Sequence, residues 1–259
     1  METIIEESNS YKIAILSYNR PSRLEKKTYK LLKEYGLLDN VILFLSTEKD
    51  IEDYKYLNLK SVLSPKGYTE TCNFISEYFD EDEPYILMGD DVDKFTKFIG
   101  NYKQEKVEDL DKLFIETFSM MKDKKLNLGG FYPTPNPMAL NSVKPEDTTS
   151  TYLAFIHDAV CLIVNKKIML DPYVLKVDFQ RTIEYYKLDG GVLRRNNYSF
   201  KTYFMKGKGG NELEKQNEEE YSKRFYEKYK DYIKYKRIHK SGSSSYILNK
   251  KGRKIAKVN

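Results

Sequence analysis

The sequence predicts an α/β fold with a mainly parallel central sheet flanked by helices, and additional strands and a helix toward the C-terminus. Three observations carry this expectation. Short apolar runs alternate with amphipathic stretches, a polar loop follows each early run, and the chain's 259 residues are 40% hydrophobic, enough for a sizeable core.

The elements follow in order. KIAIL, residues 12–16, reads as a buried strand, the turn SYNRPS follows, and Leu24, Tyr29, Leu31, Leu32 and Tyr35 mark a helix stopped by Gly36. A second strand runs from Val41 to Leu45, a helix covers about 49–56, and a third strand spans Ser61 to Leu63. A helix near 69–79 leads to a fourth strand, YILM, at residues 85–88. The loops Ser17–Ser22, Ser46–Lys49, Ser64–Gly67 and Gly89–Asp93 all follow strands. They are therefore expected along one edge, where ligands of such sheets bind.

Beyond these lie a helix near 108–123, a Gly- and Pro-rich strand end and loop in LGGFYPTPNPMALN, and apolar runs at 153–156 and 159–164 that read as strands. A helix at 176–187 precedes strand-like segments on either side of Asn196-Asn197, and residues 212–231 alternate Glu and Lys with helical spacing. Cys72 and Cys161 sit in apolar runs without metal-ligand spacing, so buried free thiols are expected.

Residues 232–259 hold nine Lys or Arg and no Asp or Glu, against a total of +5, which leaves −4 on the preceding 231 residues. Two regions are read from this: a body, 1–231, and a basic extension, 232–259. A basic end on an acidic body suits a polyanion such as nucleic acid, and a solvated tail would look the same. No run of eighteen apolar residues occurs, and METIIEESNS lacks the basic start and apolar stretch of a leader. A soluble, cytoplasmic protein is the expectation.

Asp90, Asp91 and Asp93 follow the apolar strand YILM, and their mutual repulsion calls for a cation or nearby donors. Hard carboxylate oxygens suit Mg2+ or Mn2+, completed by the phosphate oxygens of a substrate. An acidic turn capping a strand is the bland alternative. A phosphatase of the haloacid dehalogenase type also places Asp-x-Asp after a strand, but on its first core strand and with Thr or Val where this chain has Phe95.

ILSYNRP, SPKGYTETCNFI, YILMGDDVD, a later NP, VDFQRTIEYYKLDGGVLRRNN and KGKGG occur in an order that resembles the TET-associated glycosyltransferases of phages and viruses, over roughly residues 11–212. The resemblance implies a GT-A-like domain that transfers a sugar from a nucleotide sugar, such as UDP-glucose, to a hydroxymethylated pyrimidine such as 5-hydroxymethylcytosine in DNA. That family has three consecutive acidic residues after the strand, and Gly89 stands in the first place here. Asp91 and Asp93 are then the metal pair, or Asp91 acts largely alone.

The reaction assigns the rest. Ser17, Asn19 and Arg20, at the first strand's end, offer donors and acceptors for the nucleotide, and Arg20 suits a base or diphosphate. Ser46 and Glu48 suit base or ribose, Lys66 and Asn73 ribose or phosphate as in the family, and Asp90 the nucleotide sugar. Arg194 and Arg195 suit phosphate, and Gly209 and Gly210 let backbone amides approach an anion. Asp178 matches the family's acidic residue and is the expected base for the acceptor hydroxyl; an N-cap Asp would look identical. Asp189 is the second catalytic candidate, for sugar hydroxyls, although Asp before two glycines also suits a turn. Lys250, Lys251, Arg253 and Lys254 are the expected DNA contacts. A glycan- or protein-modifying transferase and a non-enzymatic DNA-binding protein are the rival readings.

Overall fold

A computed structural model describes residues 11–141, 147–174, 176–203, 218–238 and 244–249. The strands β1 (Lys12–Ser17), β2 (Val41–Leu45), β3 (Lys60–Leu63) and β4 (Pro84–Gly89) are mutually parallel in the order β3-β2-β1-β4. The sheet continues through β9 (Val160–Val164), β7 (Leu128–Tyr132), β10 (Leu193–Thr202), β5 (Val92–Gly100) and β6 (Lys103–Lys106), with the short β8 (Thr149–Ser150) beside β10. Along this path only β9 and β5 run against the rest. The expected mainly parallel α/β sheet is thus present.

Both faces are covered, which explains the unbroken apolar runs. Ile13 and Ile15 of β1 face one cluster and Ala14 the other, so a strand with period-2 geometry is apolar at every position. All five residues of β2 are buried, at about 1.5–3 kcal/mol for each large side chain. The first face carries α1, a single rod of Pro21–Leu24, the π-wound Glu25–Tyr29 and Lys30–Glu34. With it lie α2 (Glu48–Tyr54), N-capped by Thr47, and α4 (Leu110–Asp123), N-capped by Asp109. The second face carries α3 (Tyr68–Tyr78), α6 (Val177–Asp189) and α7 (Glu218–Tyr229); α5 (Pro137–Leu140) is a single turn after β7. Gly190, at φ 75°, ends α6 in the left-handed conformation that glycine adopts without strain. Both cysteines are free and buried.

Several expectations need correction. Residues 153–156 are not a strand: Leu153, Ala154 and Ile156 are buried as irregular chain that packs on the second face. β10 is one strand, yet the Asn196-Asn197 pair does interrupt its pairing: the register with β7 jumps from Arg195–Phe131 to Ser199–Tyr132, pairing with β5 begins at Tyr198, and Asn196 is buried and bonded to Ser150 and Asp147. Residues 92–106 form the unexpected hairpin β5–β6, so Asp93 belongs to a strand and not to a loop. The described part of the basic extension is the hairpin β11 (Ile233–Ile238) and β12 (Ser244–Leu248). Its Ile233 and Tyr246 are buried in the same cluster as Phe225 and Tyr229 of α7, so packing is continuous across residue 231. No helix of the described residues is long and apolar enough to cross a membrane.

Candidate active site

β2 and β3 lie on one side of β1 and β4 on the other, so the chain reverses its winding between β1 and β4. Open sheets of this kind bind ligands at the carboxyl end of that switch point. Ser17, the last residue of β1, and Asp90, the first beyond β4, meet there: Ser17 Oγ donates to Asp90 Oδ2 at 2.6 Å and shares a 2.6 Å bond with the Tyr54 hydroxyl. Arg20 Nε lies 3.0 Å from the same carboxylate oxygen, yet its N–H is not aimed at it and this buried donor has no hydrogen-bond partner among the described residues. Burial raises the Asp90 carboxyl above its ordinary value, while Arg20 and Ser17 pull it back.

The loop between β1 and α1 is held from below. Asn19 sits at φ 51°, a strained conformation for a side-chain-bearing residue, and its N–H donates to Asp50 Oδ1 at 2.9 Å. The Arg20 N–H donates to the Tyr54 hydroxyl at 2.8 Å, and burial pushes that phenol up to about 12. Both supports come from α2, and the sequence reading did not identify either one. Farther along the edge, Ser46 Oγ donates to the Pro65 carbonyl at 3.1 Å, and exposed Lys66 stands 5.8 Å from the centre of the Tyr18 ring. The four loops after β1 to β4 therefore do share one edge.

The three aspartates diverge. Asp90 turns inward, Asp91 is half-buried with no hydrogen-bond or ion-pair partner among the described residues, and Asp93 is bonded to Lys27 at 2.7 Å and approached by Lys201 at 3.9 Å. Among the described residues no three His, Cys, Asp or Glu side chains gather as metal ligands. The Asp91 carboxylate fits a hard divalent cation that draws its other ligands from phosphate oxygens and water. Asp93, the other half of the expected Asp91–Asp93 pair, is engaged by Lys27.

His157 and Asp158 arrive at this edge because β9 is antiparallel to β4: Val160 pairs with Met88, and the Gly89 N–H donates to the Ala159 carbonyl at 3.0 Å. Burial keeps the His157 ring below its ordinary value despite the opposing charges of Asp158 and Asp91, so it is neutral at pH 7. Its Nδ1 accepts the Ala159 N–H at 3.0 Å, which places the ring proton on Nε2 as a donor. In the sequence this pair reads only as a polar break between apolar runs.

Asp158 is fixed by a buried ion pair with Arg181 of α6 and by the Tyr68 hydroxyl at 3.2 Å. One turn before Arg181 stands Asp178, joined to the same segment through Thr182, whose Oγ1 accepts the Ile156 N–H and donates to the Asp178 carbonyl. Burial, then the Asp158 charge, pushes Asp178 up to about 7. It is not the N-cap: that position belongs to Lys176, which makes no side-chain cap.

Other expected residues lie elsewhere. Asp189 ends α6, about 16 Å from Asp178 at 1.5 Å per residue. Both its oxygens are taken by Asn127, at 2.7 and 2.8 Å, just before β7 on the opposite edge of the sheet. Asn73 exchanges two 2.8 Å bonds with the Leu170 backbone, which uses its amide to anchor a loop. Arg194 donates to Asn196 Oδ1 at 2.7 Å and lies 5.1 Å from the centre of the Tyr132 ring, while Arg195 pairs with Glu116 at 3.4 Å. Gly209, Gly210, Lys250, Lys251, Arg253 and Lys254 lie outside the described residues.

No protein-family model matches the chain, and no curated protein matches it. Among solved structures it is similar to a mannosyltransferase from Pyrobaculum calidifontis in complex with GDP-Man and Mn2+, at 12% identity and a TM-score of 0.49 over 70% of this chain and 52% of that one. The match thus spans about half of the mannosyltransferase. A CMP:2-keto-3-deoxy-manno-octonic acid synthetase complexed with CTP is similar at 10% identity and TM-score 0.43, over 72% of this chain and 88% of that one. Glucosyl-3-phosphoglycerate synthase from Mycobacterium tuberculosis is similar at 10% and 0.43, over 71% and 68%. None of these likenesses reaches a TM-score of 0.5, and the functional reading rests on this chain's own residues.

Proposed function

We propose that the chain is a glycosyltransferase that moves a sugar from a uridine-type nucleotide sugar to the hydroxymethyl group of a modified pyrimidine in DNA. The observation that carries the reading is the junction at the β1/β4 switch point, where Ser17 and Arg20 meet Asp90 and the half-buried Asp91 follows with no ion-pair partner among the described residues; Asp178 of α6 is taken as the base. The order of motifs that resembles the TET-associated glycosyltransferases supports the DNA acceptor.

In this reading Ser17 and Asp90 fix the floor of the nucleotide site, and the Arg20 guanidinium, 3.0 Å from Asp90, sets positive charge beside the diphosphate. Asp178 takes the proton of the acceptor hydroxyl as its oxygen bonds the anomeric carbon; the carbon–oxygen bond to the diphosphate breaks, and the diphosphate leaves with the electron pair. Arg20 and the His157 Nε2–H offset the charge that develops on the leaving group. A Mg2+ or Mn2+ ion held by Asp91 would supply further positive charge to the diphosphate.

The test incubates the protein with a panel of nucleotide sugars, Mn2+ and duplex DNA with or without hydroxymethylated pyrimidine, then weighs the released nucleosides. A hexose mass on the hydroxymethylated base alone is the expected result. Transfer to a glycan or peptide but to neither DNA would replace the acceptor, and transfer to nothing would remove the activity.

A further inference from the structure

α1 carries Arg23, Lys26, Lys27 and Lys30 along a rod that is π-wound at Glu25–Tyr29, and these four side chains line clefts on one side of it. Two clefts open against this stripe. One, of about 310 Å3, is lined by Ser22, Arg23, Lys26, Lys27 and Tyr203; the other, of about 160 Å3, adds Lys30 and Asp93. They share Lys26 and Lys27 as lining residues, and the stripe with its two adjoining clefts is termed the groove.

Two of its lysines, Lys26 and Lys30, keep their charge unopposed among the described residues. Asp93 serves two lysines, Lys27 and Lys201, and Glu34 at the far end is paired with Lys106 at 3.0 Å. Lys26 and Lys30 are exposed and have no ion-pair partner among the described residues. Stacking cations at this spacing destabilises a helix on its own, and a bound polyanion offsets that repulsion.

The groove also has an aromatic wall. Tyr203 is 40% exposed, and Lys27 Nζ lies 4.1 Å from its ring centre. A row of cations beside an accessible ring fits a nucleic-acid strand, whose phosphates follow the charges while a base or sugar stacks on the ring. From residue 23 to 30 the stripe covers about 10 Å, the axial length of about three phosphates of one strand. α1 starts directly after Arg20, so Ser22 and Arg23 at the head of the stripe follow the crevice residue within three positions.

We propose that this groove holds the phosphate backbone of the nucleic-acid acceptor while the target base enters the β1/β4 crevice. The inference rests on the reading of DNA as acceptor. It places the principal phosphate contacts on α1, beside the site, in addition to any made by the C-terminal lysines.

The test measures binding of a labelled plain duplex to the full chain by anisotropy between about 50 and 200 mM salt. Lys26→Gln/Lys30→Gln should reduce the log–log salt slope by about 1.8, at about 0.9 per lost contact, with nucleotide-sugar affinity and circular dichroism unchanged. Tyr203→Leu should weaken binding of a labelled single strand of the same sequence several-fold without altering its salt slope, because stacking releases no counterions. A Lys26→Gln/Lys30→Gln slope equal to that of the unaltered protein overturns the proposal. So does binding of phosphatidylserine vesicles through the same lysines when no duplex binds. Duplex bound through the groove without any sugar transferred to hydroxymethylated DNA upholds the groove and removes the glycosyltransferase reading instead.

Discussion

Ser17 Oγ donates to Asp90 Oδ2 at 2.6 Å, so the end of β1 is tied directly to the turn after β4. The same hydroxyl bonds Tyr54, and all three groups are buried. Ser17→Ala leaves the phenol and the carboxylate each one partner short, at a cost of about 1–3 kcal/mol. The melting temperature should drop by about 2–4 °C per kcal/mol in a chain of this size. Donor binding, read by calorimetry, should weaken with it, because the Arg20 loop hangs on Tyr54. A melt and an affinity both unchanged would show that this junction does not organise the site.

Asp91 and Asp93 are separated by one residue but do different work. Asp91 has no partner among the described residues, whereas Asp93 is bonded to Lys27. UDP-glucose should bind weakly in the presence of a chelator and more tightly with Mn2+. Asp91→Asn should abolish that metal-dependent gain, and Asp93→Asn should keep it. If both substitutions abolish the gain, the two carboxylates share the cation; if chelation changes nothing, the metal leaves the mechanism.

The sheet was legible in the sequence because β1, β2 and β4 are covered on both faces, which makes their residues apolar without alternation. β5 was not, since VDKFTKFIG mixes charge and apolarity in a way that only its pairing with β10 resolves. That pairing brings Lys201 of β10 beside Asp93, a neighbour that spacing does not show. His157 and Asp158 were illegible for a related reason. Their place beside Asp91 depends on antiparallel pairing between β4 and β9, segments some seventy residues apart. Asp178 stands out in the sequence because it opens an amphipathic helix where the resembled family has an acidic residue; what raises its carboxyl, burial and then the Asp158 charge, depends on packing that the sequence does not show.

Asp189 closes α6 onto the start of β7 by two bonds to Asn127. Its role is therefore mechanical. Asp189→Ala should cost about 1–2 kcal/mol of stability, since the carboxylate is half-buried and part of each bond is recovered by water. At a temperature well below the melt, kcat should stay within about twofold of the unaltered enzyme. A loss of kcat by an order of magnitude or more at that temperature would return Asp189 to the chemistry.

Asp178→Asn keeps the shape of the side chain and removes the base. As the acceptor of the hydroxyl proton, Asp178 acts in the transition state, so kcat should fall about 10²-fold or more while donor affinity changes little. A residual rate near that of the unaltered enzyme would place the base elsewhere. The same substitution has a signature in stability that needs no substrate. The folded carboxyl is pushed up to about 7 from an ordinary value of 3.8, so between these pH values the folded chain holds a proton that the unfolded chain has released. Stability then falls as pH rises through that window, and the loss is complete above pH 7. Asp178→Asn cannot ionise and escapes it. Its melting temperature should exceed that of the unaltered protein at pH 8, and the gap should close toward pH 4. The unaltered enzyme should gain activity across the upper part of the same window, as Asp178 gives up the proton that blocks it as a base. A melting gap independent of pH would mean that Asp178 ionises as an ordinary carboxylate, and the rise in activity with pH would then need another group.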